Sequence, residues 1–259
     1  MNSLPTPDLP LEQRIWRYVD LTKFILMLMQ RTIYFAPLSE LEDPYEGYLP
    51  RCDAEAFSKI LRENFFSRLP SFKAQAKAQG RNLDGAFDRI ETDARMKLSM
   101  KEIRRSFGVS CWHANEYESE AMWKLYSALG CGVAIESTVE QLRDVLDSTP
   151  GVTIGRIQYK DFDRATMVKG APPHILMCKR PSFSHEREVR AMMPLPQAGE
   201  GRPVSCRLER LVTCIHVSPK ASLVFHKTVE ELCSGVIHNQ VFRVARSQLL
   251  TQPDYDITS

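Results

Sequence analysis

Several features that mark common protein classes are missing from this sequence. The longest uninterrupted apolar run, FILMLM at residues 24–29, is far shorter than the roughly 20 residues that a membrane-spanning helix needs. The seven cysteines are odd in number and none forms a C-x-x-C pair, which favours reduced thiols over a disulfide framework or a zinc ribbon. The N-terminus lacks the basic start and apolar stretch of a secretory signal. We therefore expect a soluble, cytoplasmic protein with no membrane association.

Motifs for the common cofactors are absent as well. Neither G-x-G-x-x-G nor G-x-x-x-x-G-K-[ST] occurs, which excludes the standard dinucleotide and P-loop cradles. The six histidines are scattered without H-E-x-x-H or another ligand spacing, so we predict no structural metal. With 34 Lys and Arg against 32 Asp and Glu, the formal charge of +2 gives no clear signal for nucleic-acid binding.

The chain does contain enough apolar sequence for a large core. Its 259 residues are 43% hydrophobic, and no Pro/Gly/Ser-rich linker divides them. The segment over residues 51–105 is rich in Ala, Lys, Arg and Glu and has apolar residues at helical spacing. We predict a single domain over 1–259 with a helical insertion at about 51–105.

Predicted strands and helices follow one another without strict alternation. Strands are predicted at IWRYVD, TIYFAPL, SFGVSCW, CGVAIES, VTIGRIQY, EVRAMMPL, PVSCRL and VTCIHV. Helices are predicted at LTKFILMLMQ with Asp20 as N-cap, at EYESEAMWKLYSAL, at TVEQLRDVL with Ser137 and Glu140 as a capping box, and after Ser218 and Pro219. This order favours a mixed α+β fold with largely antiparallel sheets and flanking helices over a doubly wound parallel sheet.

The stretch SFSHEREVRAMMPL, residues 182–195, crowds five ionisable side chains between His185 and Arg190. The strand period of two places Glu186, Glu188 and Arg190 on one face and the apolar residues that alternate with them on the other. Two interpretations stay open: an edge strand protected by charge, or a carboxylate site at a cleft. Both predict a solvated polar face.

Two other segments carry candidate chemistry. In GVSCWH, Cys111 and His113 are two apart, so on a strand both face the same way and could form a thiolate–imidazole pair, although a buried core cysteine explains the spacing equally well. In EDPYEG, Asp43 and Glu46 suit a hydrogen-bonded turn or a ligand contact from a loop.

Four segments resemble a bacterial family of domains of unknown function, known from hypothetical proteins. In chain order they are IWRYVDLTKFILMLMQRTIYFAPLSELEDPYEG, SFGVSCWHANEYESEAMWKLYSALGCGVAIEST, IGRIQYKDF and KRPSFSHEREVRAMM. The resemblance covers most of the chain except residues 51–105 and the last few, and it implies no particular activity.

The same segments have a second, weaker resemblance to the mono-ADP-ribosyltransferases. That family has an Arg after an aromatic residue on the first strand, a Ser on a central strand and Glu-x-Glu on a later strand. The matching positions are Arg17 in IWRY, Ser110 in GVSCW, and Glu186 and Glu188 in HEREVR. The family's Ser-Thr-Ser pattern is VSCW in this chain, so its hydroxyl groups are incomplete.

This resemblance implies a role for each matched residue. Arg17 would bind a phosphate of NAD, Ser110 would support the nicotinamide pocket, Glu188 would contact the ribose and Glu186 would orient the acceptor. Arg17, Ser110 and Glu188 are then expected to converge in one pocket. The side chains of Tyr18, Trp112 and His113 would offer stacking surfaces in that pocket.

Three functions remain open at the level of sequence. The first is an NAD-using enzyme of the ADP-ribosyltransferase or glycohydrolase type, with NAD as substrate and a nucleotide as small-molecule ligand. The second is a non-catalytic ligand-binding or interaction module, for instance in stress or phage defence. The third is a thiol hydrolase that uses Cys111 and His113. The sequence identifies no acceptor and no protein partner.

Overall fold

The computed structural model describes residues 9–48, 50, 100–127, 130–164, 175–235 and 241–251. Most of the predicted helical insertion, residues 51–99, lies outside these ranges. Its last part is described, and a helix runs over residues 100–106 into the next strand. In the described ranges, none of the helices is long and apolar enough to cross a membrane.

The described strands and helices have the following bounds. The strands are β1 Arg14–Asp20, β2 Thr32–Pro37, β3 Phe107–Ala114, β4 Gly132–Thr138, β5 Thr153–Arg156, β6 Gln158–Tyr159, β7 Cys178–Lys179, β8 Glu188–Pro194, β9 Arg202–Ser205, β10 Cys214–Val217 and β11 Val244–Arg246. The α-helices are α1 Leu21–Gln30, α2 over 100–106, α3 Glu120–Tyr126, α4 Val139–Leu146, α5 Leu208–Leu211 and α6 Leu223–Cys233, with 3₁₀ turns at Leu38–Glu40 and Pro181–Glu186.

The main sheet confirms the predicted mixed α+β fold. Its order is β11-β10-β4-β1-β3-β2-β9, and β8 joins it by pairing with β3 and with β5. All of these pairs are antiparallel except β10–β11, while β6 and β7 form a separate parallel pair.

Strand β3 is the centre of the sheet and lies where the sheet splits. Along one edge it pairs with β8 from Phe107 to His113. Along the other edge it pairs with β2 at Gly108 and Val109 and with β1 at His113 and Ala114. Because β1 and β2 diverge between these two contacts, the middle of β3 has no strand partner on that edge. Side chains can approach it there.

The two faces of the sheet are covered differently. The face toward helices α1, α4 and α6 carries the largest apolar cluster, which includes Ile15, Val19, Trp112, Ile135, Val189 and Ala191. The opposite face carries two smaller apolar clusters, one around Val109 and Met192 and one around Trp16, Tyr18 and Trp123. Charged side chains of the opposite face lie in and between these clusters.

Three helix starts differ from the sequence prediction. Helix α3 begins at Glu120, after the N-cap Ser119, rather than at Glu116. Ser137 does not cap α4, because its buried hydroxyl donates to the Leu211 carbonyl at 2.6 Å. Thr138 and Gln141 form the capping box one residue later. Helix α6 begins at Leu223 rather than after Ser218 and Pro219, because the Ser222 hydroxyl accepts the Phe225 N–H at 3.1 Å. Asp20, by contrast, caps α1 as predicted.

Candidate functional site

The pairing of β3 with β8 decides which predicted site residues share a face. Cys111 lies opposite Arg190, and His113 lies opposite Glu188. Directly paired residues of antiparallel strands point to the same side of the sheet. Cys111, His113, Glu188 and Arg190 therefore share one face, and Ser110, which pairs with Ala191, points to the other.

Five charged side chains form a cluster on the first of these faces. We call it the carboxylate cluster, and its members are Glu46, Lys179, Glu186, Glu188 and Arg190. The Arg190 guanidinium donates from Nε to Glu188 at 2.6 Å and from Nη2 to Glu46 at 2.7 Å. Lys179 Nζ lies 2.5 Å from Glu186, 3.0 Å from Glu46 and 3.2 Å from Glu188. Two cations thus bridge three carboxylates drawn from distant parts of the chain.

Burial and charge differ among the carboxylates. The side chains of Glu46 and Glu188 are 1% and 2% exposed, whereas that of Glu186 is 12% exposed. Three carboxylates against two cations leave one formal negative charge. Glu186 is therefore the member through which the cluster meets solvent.

The pKa shifts follow from these environments. Burial by itself would raise the pKa of Glu188, but the Arg190 guanidinium and the Lys179 ammonium hold that pKa below its usual value. Burial raises the pKa of Glu186 despite the attraction of Lys179. Two carboxyl groups bound to the same lysine are thus shifted in opposite directions, an arrangement found in acid–base pairs.

The backbone around Glu186 is not the predicted strand. Pro181–Glu186 form a 3₁₀ turn, and Arg187 has a left-handed conformation with φ of 42°. Strand β8 begins only at Glu188. The strand prediction is therefore wrong for Glu186, whose carboxylate nevertheless reaches the cluster through Lys179.

Aromatic and imidazole side chains surround the carboxylate cluster. His113 Nδ1 lies 2.6 Å from the Glu186 carbonyl oxygen, while its buried Nε2 has no hydrogen-bond partner in the part of the chain that the structure describes. The Tyr159 hydroxyl accepts the Glu188 N–H at 2.8 Å. Tyr126 as a whole is 44% exposed, but its phenol group is shielded from solvent, and this burial together with the negative charge of Glu186 raises the pKa of the phenol. An exposed aromatic ring beside a carboxylate can hold a heterocyclic ligand.

The geometry does not pair Cys111 with His113 as a nucleophile and base. Burial and the charge of Glu188 raise the pKa of Cys111, so that its thiol stays protonated. His113 Nδ1 bonds the Glu186 carbonyl, and Nε2 bonds none of the described residues, so neither ring nitrogen bonds the Cys111 thiol. A thiolate–imidazole pair needs that bond, and it is not formed.

Arg17 and Ser110 meet on the opposite face, where β1 and β2 diverge. Arg17 Nη1 donates to the Ser110 hydroxyl at 2.5 Å, and its Nη2 donates to the Tyr34 carbonyl of β2 at 3.1 Å. Trp112 Nε1 also donates to Ser110 Oγ, at 3.1 Å. In the described part of the chain, no carboxylate pairs with the Arg17 guanidinium. Burial lowers the pKa of Arg17 from its ordinary value.

A cavity of about 390 Å³ opens beside Arg17. We call it the arginine pocket, and it is lined by Arg17, Val19, Lys23, Leu26, Met27, Gln30, Thr32, Ile33, Tyr34 and Pro203. The lining combines an apolar wall with a guanidinium, and two of its five N–H donors bond described residues. Such a pocket suits an anionic group attached to an apolar or aromatic body.

The predicted convergence of Arg17, Ser110 and Glu188 in one pocket is therefore wrong. The stacking residues divide in the same way, because Trp112 lies on the face of Arg17, while Tyr18 and His113 lie on the face of Glu188. Tyr18 is buried against Trp123 with ring centroids 5.0 Å apart, and its hydroxyl accepts the Ser119 N–H. Tyr18 thus fixes the start of α3.

The edge-strand interpretation of SFSHEREVRAMMPL is also wrong. Strand β8 pairs on both sides, with β3 and with β5. Its polar face is buried, since Arg190 is 0% exposed. The charges are satisfied by partners that the sequence pattern does not reveal.

Of these partners, Glu46 had a visible signal in EDPYEG, the turn that also contains Asp43, whereas Lys179 had none. Asp43 accepts the Tyr45 N–H at 3.0 Å and pairs with Arg180 at 2.7 Å, so the predicted hydrogen-bonded turn is confirmed. Gly47 follows Glu46 with φ of 76°, and a Cβ there would lie 2.8 Å from Arg104 Cγ. Glycine therefore allows the turn that delivers Glu46 to Arg190.

No protein-family model matches the sequence, and no curated protein matches it either. Among solved structures, the chain is similar to DarT of Thermus sp. 2.9, determined in complex with ADP-ribosylated ssDNA. The two share 6% sequence identity and a TM-score of 0.41, over 96% of this chain and 98% of that chain. At these values the overlap assigns no residue of this chain a role.

Proposed function

We propose that this protein binds an NAD-class dinucleotide on the face of the carboxylate cluster and breaks the bond between nicotinamide and ribose. The reaction class is that of ADP-ribosyltransferases or NAD glycohydrolases. The observation that supports it best is the Glu186 carboxylate, which is the solvent-facing member of a buried cluster with one excess negative charge.

The chemistry of this bond suits a carboxylate cluster. As the C1′–N bond lengthens, positive charge develops on the ribose ring, and neutral nicotinamide leaves with the bonding electron pair. A fixed negative charge in a water-poor site stabilises that oxocarbenium-like transition state. Tyr126 offers the exposed aromatic surface against which a nicotinamide or adenine ring would stack.

Glu186 also suits the second half of the reaction. Water or an acceptor hydroxyl adds to C1′ and loses a proton, which a nearby base must take. The raised pKa of Glu186 makes its carboxylate a better base than an ordinary glutamate. Glu188 is too buried to reach the ribose, and we assign it the positioning of Lys179 and Arg190.

The test compares Glu186→Gln with a matched control, Glu12→Gln, which changes an exposed glutamate in the turn before β1. NAD binding is measured by calorimetry and turnover by nicotinamide release. We expect Glu186→Gln to lower turnover by about 10²- to 10⁴-fold while retaining NAD binding, and Glu12→Gln to match the wild type. Nicotinamide release by Glu186→Gln at the wild-type rate would contradict the proposal.

A second candidate function is non-catalytic binding of an anionic ligand in the arginine pocket. It is favoured by the Arg17 guanidinium, which lines an apolar cavity without a carboxylate partner in the described ranges. Ser110 and Trp112 would hold this guanidinium in place. Under this function a phosphate of the dinucleotide would pair with Arg17, and no nicotinamide would be released.

Arg17→Gln separates the two candidates in the same titration. If NAD binds at the carboxylate cluster, the Kd of Arg17→Gln equals that of the wild type. If NAD binds in the arginine pocket, Arg17→Gln weakens binding and Glu186→Gln leaves it unchanged. A protein that binds no NAD at all would refute both assignments for this ligand.

A further inference from the structure

Three side chains with metal-ligand chemistry lie together on strands β4 and β10, and none belongs to the carboxylate cluster or to the arginine pocket. They are Glu136, Cys214 and His216, and one ligand atom from each lies within 4.8 Å of the other two. Strand pairing holds them there, because Cys214 lies directly opposite Glu136, and His216 is two residues further along β10. All three therefore project from the same face.

The His216 ring turns its Nε2 toward the Glu136 carboxylate, to which that nitrogen is hydrogen-bonded. That atom lies 2.7 Å from Glu136 Oε2. On its other side the buried Nδ1 has no hydrogen-bond partner among the described residues and lies 3.9 Å from Glu118 Oε1. Trp16 packs edge-on against the imidazole with ring centroids 4.9 Å apart, which restricts its rotation.

Glu118 is held beside the imidazole by two other bonds. Its Oε2 accepts the Trp123 indole N–H at 2.9 Å, and its Oε1 accepts the Gln248 N–H at 3.2 Å. In metal sites, a carboxylate commonly accepts the N–H of the imidazole nitrogen that does not bind the metal. Glu118 is in the position of such a carboxylate.

The two carboxylate oxygens of Glu136 contact different side chains. Oε1 pairs with Arg14 Nε at 3.3 Å, while Oε2 points to His216. Because the Arg14 side chain is 43% exposed, solvent screens its charge. One carboxylate oxygen is thus directed toward the imidazole, and a carboxylate oxygen of Glu136 lies within 4.8 Å of the Cys214 sulfur.

We propose that Glu136, Cys214 and His216 bind Zn²⁺, with Glu118 as the carboxylate that orients the imidazole. Carboxylate, thiolate and imidazole are all zinc ligands, and three protein ligands leave a fourth position for water. As the metal–sulfur bond forms, the Cys214 thiol releases its proton to solvent, and no oxidation occurs. The sequence shows no metal spacing here because 80 positions separate Glu136 from His216.

The test uses the full chain, stripped of metal by a chelator and titrated with Co²⁺ as the spectroscopic probe. We expect visible d–d bands of a four-coordinate site and a near-ultraviolet thiolate-to-cobalt band, both removed by stoichiometric Zn²⁺. Cys214→Ser abolishes the near-ultraviolet band, whereas Cys131→Ser, which changes an exposed cysteine outside the cluster, retains it.

Glu118→Gln gives a readout that does not depend on a ligand substitution. The bands persist, and the affinity for Zn²⁺ falls by about 10- to 100-fold. A wild-type protein without the near-ultraviolet band, or a band that survives in folded Cys214→Ser, overturns the site. An unchanged affinity in Glu118→Gln overturns the role of Glu118. All of these results are independent of NAD binding.

Discussion

Glu188 and Val189 are neighbours on β8, and both are almost completely buried, at 2% and 0% exposure. Val189 lies in the large apolar cluster, where burial of hydrocarbon is favourable by itself. Glu188 lies on the other face and stays ionised only because Arg190 and Lys179 accompany it. The polar face of this strand is therefore stabilised by specific partners, and its stability depends on each of them.

The largest effect we expect comes from Arg190→Ala. The substitution leaves the carboxylates of Glu46 and Glu188 buried with one cation fewer, and breaking a buried pair in this way costs about 3–5 kcal/mol. The measurement is the free energy of unfolding from denaturant titration. Arg164→Ala serves as the control, because its side chain is 89% exposed, and the change should cost about 0–1 kcal/mol. Equal costs for the two variants would contradict the importance of the cluster.

A smaller effect is expected on the arginine face from Ser110→Ala. The Ser110 hydroxyl accepts hydrogen bonds from both Arg17 and Trp112. Its removal leaves two donors without this acceptor and lowers the free energy of unfolding by about 1–3 kcal/mol. Ser148→Ala, in an exposed turn, should be close to neutral. The same unfolding titration measures both. A loss larger than that of Arg190→Ala would reverse the comparison between the faces.

The third effect is a change of stability at acid pH, and its sign is opposite for Glu188 and Glu186. The pKa of Glu188 is lowered in the folded state from 4.5 to about 2, so its contribution to stability is present above pH 4.5 and is lost as the pH falls toward 2. The pKa of Glu186 is raised, so its ionised form opposes folding, and this penalty disappears as the pH falls.

Glu186→Gln isolates the second contribution. Relative to this variant, the wild type should gain stability as the pH falls through the raised pKa of Glu186 toward its unfolded value of 4.5. Unfolding titrations of both proteins across this range provide the measurement. A difference between them that does not change with pH would show that the pKa of Glu186 is unshifted.

Strand periodicity predicted more of the site than the search for motifs did. Alternation on β8 correctly assigned Glu188 and Arg190 to one face and Val189 and Ala191 to the other, because side chains alternate with a period of two. The match of Arg17, Ser110 and Glu188 to a family pattern contained no information about how their strands pair. Only the pairing of Ser110 with Ala191 shows that the hydroxyl and the carboxylate project from opposite sides.

Interactions between residues close in the sequence are sufficient to explain some of the helices and strands. The Asp20 carboxylate and the apolar run behind it are enough to begin α1, and the period of two is enough to divide β8 into faces. Whether the polar face of β8 is solvated or buried depends instead on contacts between distant segments. Glu46 reaches Arg190 across 144 positions of the chain, and His216 reaches Glu136 across 80. Such contacts depend on strand order and register, which follow from packing of the whole sheet rather than from any segment within it.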